Sequence, residues 1–190
     1  MRPELGPAGR TLLTSEELAV VVARLGGEIS LDHPEGVVLV GILKGSICLV
    51  ADLARALRVP CSVDFLGLLA YGAGKNRIAL SKDLEVDVAG SDVVVAVDIV
   101  DSGLTVSYVR RLLAERGARS SRICALLDRR CRRLLPVDIA YVGTEIGDEY
   151  VIGYGLDFEE HFRNLKGLVA VDSSALRVAA AEGVSGAAER

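Results

Sequence analysis

The stretch Val93 to Thr105, VVVAVDIVDSGLT, constrains this chain more than any other. Five apolar residues, Val93 to Val97, run without a charge. That predicts a strand buried on both faces. Asp98 follows where the strand is expected to end, and Asp101, Ser102, Gly103 and Thr105 sit in a turn that opens a helix. Backbone N–H groups in such a turn, with the helix N-terminus behind them, form a site for a phosphate. Gly103 lets the backbone come close, and Ser102 and Thr105 add hydroxyl donors. Two carboxylates beside a phosphate cradle make sense once a sugar or a metal lies between them. Asp98 can take ribose hydroxyls or Mg²⁺, and Asp101 can handle a proton. An ordinary helix cap accounts for Asp101 or Ser102 alone, but not for the whole set. The stretch therefore reads as a sugar-phosphate site with acid/base capacity.

The rest of the chain supplies strands and helices in alternation. Residues 1–10 carry Pro and Gly and are expected to be loose. Thr14 and Glu17 make a capping box, and Leu18, Val21, Val22 and Leu25 follow at helical spacing. Gly26-Gly27 is expected to end that helix. Val37 to Leu43 reads as a second buried strand, running into Lys44-Gly45-Ser46 and a helix with Ile47, Val50, Ala54 and Leu57 turned inward. Strand, short polar loop and helix is the layout that aims N–H groups and a lysine at an anion. Ser62 to Leu69 is the next strand. YGAGKNR, residues 71–77, is the most loop-like internal segment and a candidate lid. A helix bearing Val106, Val109 and Leu113 follows the phosphate turn and stops near Gly117. Arg122 to Leu127, Ile139 to Val142, Tyr150 to Gly153 and Leu168 to Val171 are further strands, and the Ala-rich residues 174–190 read as a tail. The alternation predicts an α/β fold, one domain with a central, mainly parallel sheet flanked by helices. Ligands in such sheets sit outside the carboxyl ends of the strands. Lys44, Asp98–Thr105 and Arg129 all fall at those ends.

Composition narrows the partners. A net charge of −4 argues against a protein whose binding is dominated by nucleic-acid phosphates. With 4 % aromatics and no Trp there is no stacking platform for single strands. Hydrophobic content is 51 %, but no run approaches the roughly 20 apolar residues that span a bilayer. No secretory leader is visible in MRPELGPAGR, so a cytoplasmic protein is expected. The four cysteines show no C-x-x-C spacing and are expected to be reduced thiols rather than zinc ligands or disulfides. His33 and His161 lack a useful neighbour and read as structural or surface residues. The Arg129–Arg133 run reads as a solvated basic patch.

The central stretch resembles the 5-phosphoribosyl-1-pyrophosphate (PRPP) loop of the type I phosphoribosyltransferases: an apolar strand, two acidic residues, two apolar residues, then Asp-(Ser/Thr)-Gly-x-Thr. The segment VGTEIGDEYVIGYGLDFEEHFRNL is similar to the C-terminal base-binding segment of the hypoxanthine–guanine branch. The segments come in that family's order from residue 14 to residue 172. The resemblance implies the type I phosphoribosyltransferase fold, with a small hood formed by the terminal segments. It implies transfer of 5-phosphoribosyl from PRPP to hypoxanthine or guanine with Mg²⁺, by a homodimer or homotetramer. Ser102, Gly103, Leu104 and Thr105 would hold the 5′-phosphate and Asp98 the ribose hydroxyls, with Asp101 as general acid/base near N7 of the base. Leu43, Lys44 and Gly45 would form the pyrophosphate loop, in which the peptide before Lys44 can be cis. Arg163 would reach pyrophosphate, and Asp98 and Asp157 would serve the metal. Tyr150 would stack on the purine, the Val151 backbone would bond its edge, and Arg129 would stand where a lysine reads the 6-oxo group. Tyr71 and Gly72 would belong to the lid.

Three residues depart from the family pattern. Val97 replaces the first acid, Arg129 replaces the lysine, and Ala70 replaces a lid serine. A hydrogen bond to a charged group is worth about 1.5–3 kcal/mol, so losing the acid at 97 is expected to weaken PRPP binding by roughly ten- to a hundredfold. These departures also suit a specialised purine-like base, or a regulator that senses PRPP or nucleotides.

Overall fold

The computed structural model describes residues 9–71 and 77–171. It divides into two compact units, one of residues 20–148 and one built from the two terminal segments.

The larger unit holds a six-stranded sheet in the order β4-β3-β2-β5-β6-β7. Its strands are β2 (Val37–Leu43), β3 (Cys61–Tyr71), β4 (Arg77–Lys82), β5 (Asp92–Val100), β6 (Ser120–Asp128) and β7 (Tyr141–Glu145). All neighbours pair in parallel except β3 and β4. This is the expected α/β sheet. Helix α2 (Ile47–Ala56) connects β2 to β3, and α3 (Leu104–Glu115) connects β5 to β6. Central strands buried on both faces must be apolar throughout, and Val93 to Ala96 have no exposed surface. The inward residues of α3, Val106, Val109 and Leu113, pack into the same core.

Because β2, β5 and β6 are adjacent and parallel, the segments after their carboxyl ends emerge at one edge. Lys44, Asp101 and Arg129 are the first residues beyond Leu43, Val100 and Asp128.

Three expectations about the elements are corrected: on α2 the buried residues are Leu49, Val50 and Leu53, while Ile47, expected inward, is exposed. Helix α1 (Ser15–Asp32) does not stop at Gly26-Gly27. A Cβ on Gly26 would lie 2.7 Å from the Cβ of Ala56 at the end of α2. The glycine serves close helix approach, and the helix continues to bury Ile29. Strand β5 continues past Asp98 to Val100, because Ile99 and Val100 still pair with Leu127 and Asp128 of β6. The capping box forms as read: the Glu17 N–H donates to Thr14 Oγ1 (3.2 Å) and the Thr14 N–H to Glu17 Oε2 (2.8 Å).

The terminal segments form a three-stranded antiparallel sheet in the order β1-β9-β8, from β1 (Arg10–Leu13), β8 (Tyr150–Ile152) and β9 (Leu168–Val171). Ile152 and Val171 are its buried centre, covered by Phe158, Phe162, Leu165 and Val169. Among the described residues no helix is long and apolar enough to cross a membrane.

Candidate active site

In the larger unit a cleft of about 380 Å³ opens at the carboxyl ends of β2 and β5. Asp98, Asp101, Ser102, Gly103 and Thr105 line one side, while Ile42, Leu68, Ile78, Val97 and Val106 make an apolar wall. Gly103 has φ +85°, and a Cβ there would lie 2.6 Å from Val137 Cγ2 and 2.9 Å from the Leu135 carbonyl oxygen. Only glycine suits both the left-handed backbone and that close approach. The turn it makes lets α3 begin at Leu104, with the N-terminal amides of the helix behind the turn. The Ser102 hydroxyl accepts from the Leu104 N–H at 3.4 Å.

The β2 loop reaches the same place. The Leu43–Lys44 peptide is cis, as the family resemblance allows. Gly45 lies directly against Asp98: a Cβ on residue 45 would fall 1.6 Å from Asp98 Oδ2. The other oxygen, Oδ1, accepts the Ile99 N–H at 2.8 Å. The Asp98 carboxylate is thus held between its own strand and the Lys44-Gly45 loop.

Asp101 meets Arg129. Arg129 Nη1 donates to Asp101 Oδ1 at 2.9 Å and to Oδ2 at 3.2 Å. The Arg129 side chain is 5 % exposed and that of Asp101 is 40 % exposed, so the pair spans from interior to cleft. The reading of residues 129–133 as a solvated patch holds for Arg130, Cys131 and Arg132, which are exposed, and is corrected for Arg129 and Arg133. Arg129 is buried, and Arg133 pairs with the buried Asp128 carboxylate, which Arg130 also bonds. The corresponding signal in the sequence is Asp128 itself, one acid beside four arginines within six residues.

Val97 is 4 % exposed and belongs to the main core while also lining the cleft. Its position carries no carboxylate, and the apolar wall is continuous there. Ala70 and Tyr71 end strand β3, whereas Gly72 lies outside the described residues.

In the terminal unit, Tyr150, Val151, Asp157 and Arg163 belong to one small assembly. Val151 is buried and pairs with Ala170. Tyr150 is 38 % exposed, stands edge-on to Phe158 with ring centroids 5.8 Å apart, and donates its hydroxyl to the Asp157 carbonyl at 2.9 Å. Arg163 Nη2 bonds Asp157 Oδ1 at 2.9 Å, and Nη1 bonds the Gly155 carbonyl at 2.8 Å. Four non-glycine residues here, Tyr154, Glu159, Glu160 and Phe162, have φ between 46° and 71°. Such left-handed residues cost roughly 1–2 kcal/mol each, and strain of this kind concentrates at binding sites.

Other titratable groups have structural work. Burial acts to raise the Asp64 pKa, but the N–H groups of Val86, Phe65 and Glu85 and the Lys82 ammonium outweigh it and bring it to about 2. Asp64 thereby ties β3 to the segment after β4. His33 is buried, with Nε2 3.3 Å from the Tyr141 hydroxyl and Nδ1 3.5 Å from Asp92, which fits its expected structural role. The four cysteines are free thiols.

Residues 9–159 match the model of the phosphoribosyl transferase domain. The chain is 38 % identical over 177 residues to a hypoxanthine-guanine phosphoribosyltransferase of Mycobacterium avium, covering 88 % of this chain and 87 % of that one. It is 40 % identical over 160 residues to a hypoxanthine phosphoribosyltransferase of Salmonella typhimurium, covering 81 % and 90 %. Among solved structures, a hypoxanthine-guanine phosphoribosyltransferase from Bacillus anthracis superposes with a TM-score of 0.84 at 33 % identity, over 88 % of this chain and all of that one. A Trypanosoma cruzi hypoxanthine phosphoribosyl transferase reaches a TM-score of 0.88 at 30 % identity, over 94 % and 98 %. The chain belongs to the phosphoribosyl transferase domain family, and these relatives, matched over most of its length, are hypoxanthine and hypoxanthine-guanine phosphoribosyltransferases.

Proposed function

We propose that the protein transfers the 5-phosphoribosyl group of PRPP to hypoxanthine or guanine, giving IMP or GMP and pyrophosphate. The observation that carries this reading is the cleft in which Asp98, Asp101 and the Ser102–Thr105 turn meet the Leu43-Lys44-Gly45 loop. In the reaction the C1–O bond to pyrophosphate breaks, a C1–N bond to the purine forms, and the purine gives up a proton. The amides and hydroxyls of Ser102, Gly103, Leu104 and Thr105 hold the 5′-phosphate. Asp98 takes ribose hydroxyls, and Lys44 and Arg163 offset charge on the departing pyrophosphate. Asp101, oriented by Arg129, accepts the purine proton. Tyr150 stacks on the base and the Val151 backbone bonds its edge.

Mg²⁺ supplies positive charge to the pyrophosphate when bound. The ion typically takes one or two carboxylates and completes its shell with substrate phosphates and water; Asp98 would offer such oxygens in the larger unit, and Asp157 of the terminal unit is the second carboxylate the family resemblance implies. Arg129 sets base preference. Its guanidinium donates to a 6-oxo acceptor but opposes the amino donor of adenine. The four free thiols suit the reducing cytoplasm.

The test is PRPP- and Mg²⁺-dependent pyrophosphate release with guanine, hypoxanthine, xanthine and adenine, beside Asp101→Asn. Release with a 6-oxopurine that collapses in the mutant is expected. Binding of PRPP without release from any base would refute transfer and leave a sensor.

A further inference from the structure

The segment after β6 crosses the phosphate turn and is bonded to it at successive residues. The Arg129 N–H donates to the Val100 carbonyl at 3.0 Å, and the Leu134 and Leu135 N–H groups both donate to the Ser102 carbonyl at 3.0 Å. Between these backbone bonds lies one side chain, Arg133. Its Nε donates to the Asp101 carbonyl at 2.8 Å and its Nη2 to the Val100 carbonyl at 3.4 Å. The same Nη2 bonds Asp128 Oδ1. Asp128 is 3 % exposed and its second oxygen accepts from Arg130 Nε at 3.0 Å.

We propose that Arg133, anchored on the buried Asp128 carboxylate, is a positioning residue for the phosphate turn and for the carboxylate of Asp101. The physical reason lies in the backbone. The Val100 carbonyl already accepts from the Arg129 N–H and the Ser102 carbonyl from the Leu134 and Leu135 N–H groups, so the Asp101 carbonyl between them is the one that Arg133 Nε serves. A planar guanidinium bonds it, adds a second donor to the Val100 carbonyl, and has its charge balanced by the buried Asp128 carboxylate. Fixing the peptide of Asp101 fixes the direction in which its side chain leaves, and fixing Ser102 fixes the amides offered to a phosphate. Arg133 acts on the substrate only through these groups. This role rests on the phosphoribosyl-transfer reading of the turn.

The test compares Arg133→Lys, Arg133→Gln and Arg132→Gln in the full chain. Arg132 is a neighbouring exposed arginine paired with Asp148, so its variant controls for loss of one positive charge. Arg133→Gln is expected to raise the KM for PRPP about tenfold and to lower kcat, with the KM for the purine within twofold. Arg133→Lys keeps the charge beside Asp128 but not the fork, and is expected to fall between Arg133→Gln and the unaltered protein. Arg132→Gln is expected to leave all three constants unchanged. Amide hydrogen exchange provides a readout independent of turnover: the amides of residues 101–105 exchange faster in Arg133→Lys, while those of β2 do not change.

Kinetic constants within twofold for both Arg133 variants would overturn the proposal, as would unchanged exchange at residues 101–105. Equal losses at both arginines would overturn it too, since charge alone would then be responsible. Should the unaltered protein lack PRPP-dependent turnover, the transfer reading fails, and the exchange result still decides whether Arg133 orders the turn. Should Arg133→Gln fail to fold, Arg133→Lys carries the same comparison.

Discussion

Gly45→Ala isolates the contact on which the cleft is built. The new Cβ would sit 1.6 Å from Asp98 Oδ2 and 2.7 Å from its Cγ. To reach ordinary van der Waals contact at 3.4 Å the oxygen has to retreat by about 1.8 Å. A carboxylate cannot move so far and keep the 2.8 Å bond from the Ile99 N–H to its other oxygen. The side chain therefore leaves its position, and with it goes the charged hydrogen bond we propose between Asp98 and the ribose, worth about 1.5–3 kcal/mol. That converts to a rise of roughly ten- to a hundredfold in the KM for PRPP. The KM for the purine is expected to stay within twofold, because no base contact changes. Steady-state kinetics with each substrate varied in turn measures this. A double-mutant cycle identifies the cause. In an Asp98→Ala background there is no carboxylate to displace, so Gly45→Ala adds little. A KM for PRPP within twofold of the unaltered protein would refute the reasoning. So would full additivity of the two substitutions, which would show that residue 45 acts without Asp98.

Val97→Glu restores the acid of the family pattern inside an apolar wall. It is expected to lower the melting temperature of the free protein, because a carboxylate enters the core, and to tighten PRPP binding up to about tenfold; thermal melting and PRPP titration check both. Acid should destabilise the fold through Asp64. Its folded pKa of about 2 lies below the ordinary unfolded value of about 3.9, so its contribution of about 2–3 kcal/mol is complete above that value and is lost as pH falls through about 2. Denaturant unfolding at pH 5 and pH 2 measures the loss, which should shrink in Asp64→Asn. Burial pushes the Cys124 thiol up to about 12, whereas Cys131 is exposed. Alkylation of the native protein near pH 8 should therefore label Cys131 and spare Cys124, as read by mass spectrometry.

The strand, turn and helix start around Gly103 are legible in the chain because they are local. An apolar run, two aspartates and a Ser-Gly-x-Thr turn within thirteen residues define strand, cradle and helix start without reference to anything distant. The capping box at Thr14 and the inward face of α3 were legible for the same reason. Gly26 was misread because a glycine inside a helix looks the same in sequence whether it ends the helix or admits a neighbour, and Ala56, which it admits, is thirty residues away. Arg129 and Arg133 look like their exposed neighbours in the sequence because charge alone suggests solvent. Only the tertiary structure places the buried Asp128 among those arginines and the carbonyls of residues 100–101 within their reach.

The sequence by itself determined the fold class, the order of the strands along the chain and the residue types of the turn after β5, since hydrophobic period and turn chemistry act over a few residues. Tertiary structure alone decided the seating of Asp98 on Gly45, the pairing of Asp101 with Arg129 and of Asp157 with Arg163, and the strap through Arg133. Each depends on residues 5 to 53 positions apart meeting at hydrogen-bond or van der Waals distance. Local propensity carries no information about such meetings; the register of β2, β5 and β6 and the turns of the terminal unit create them.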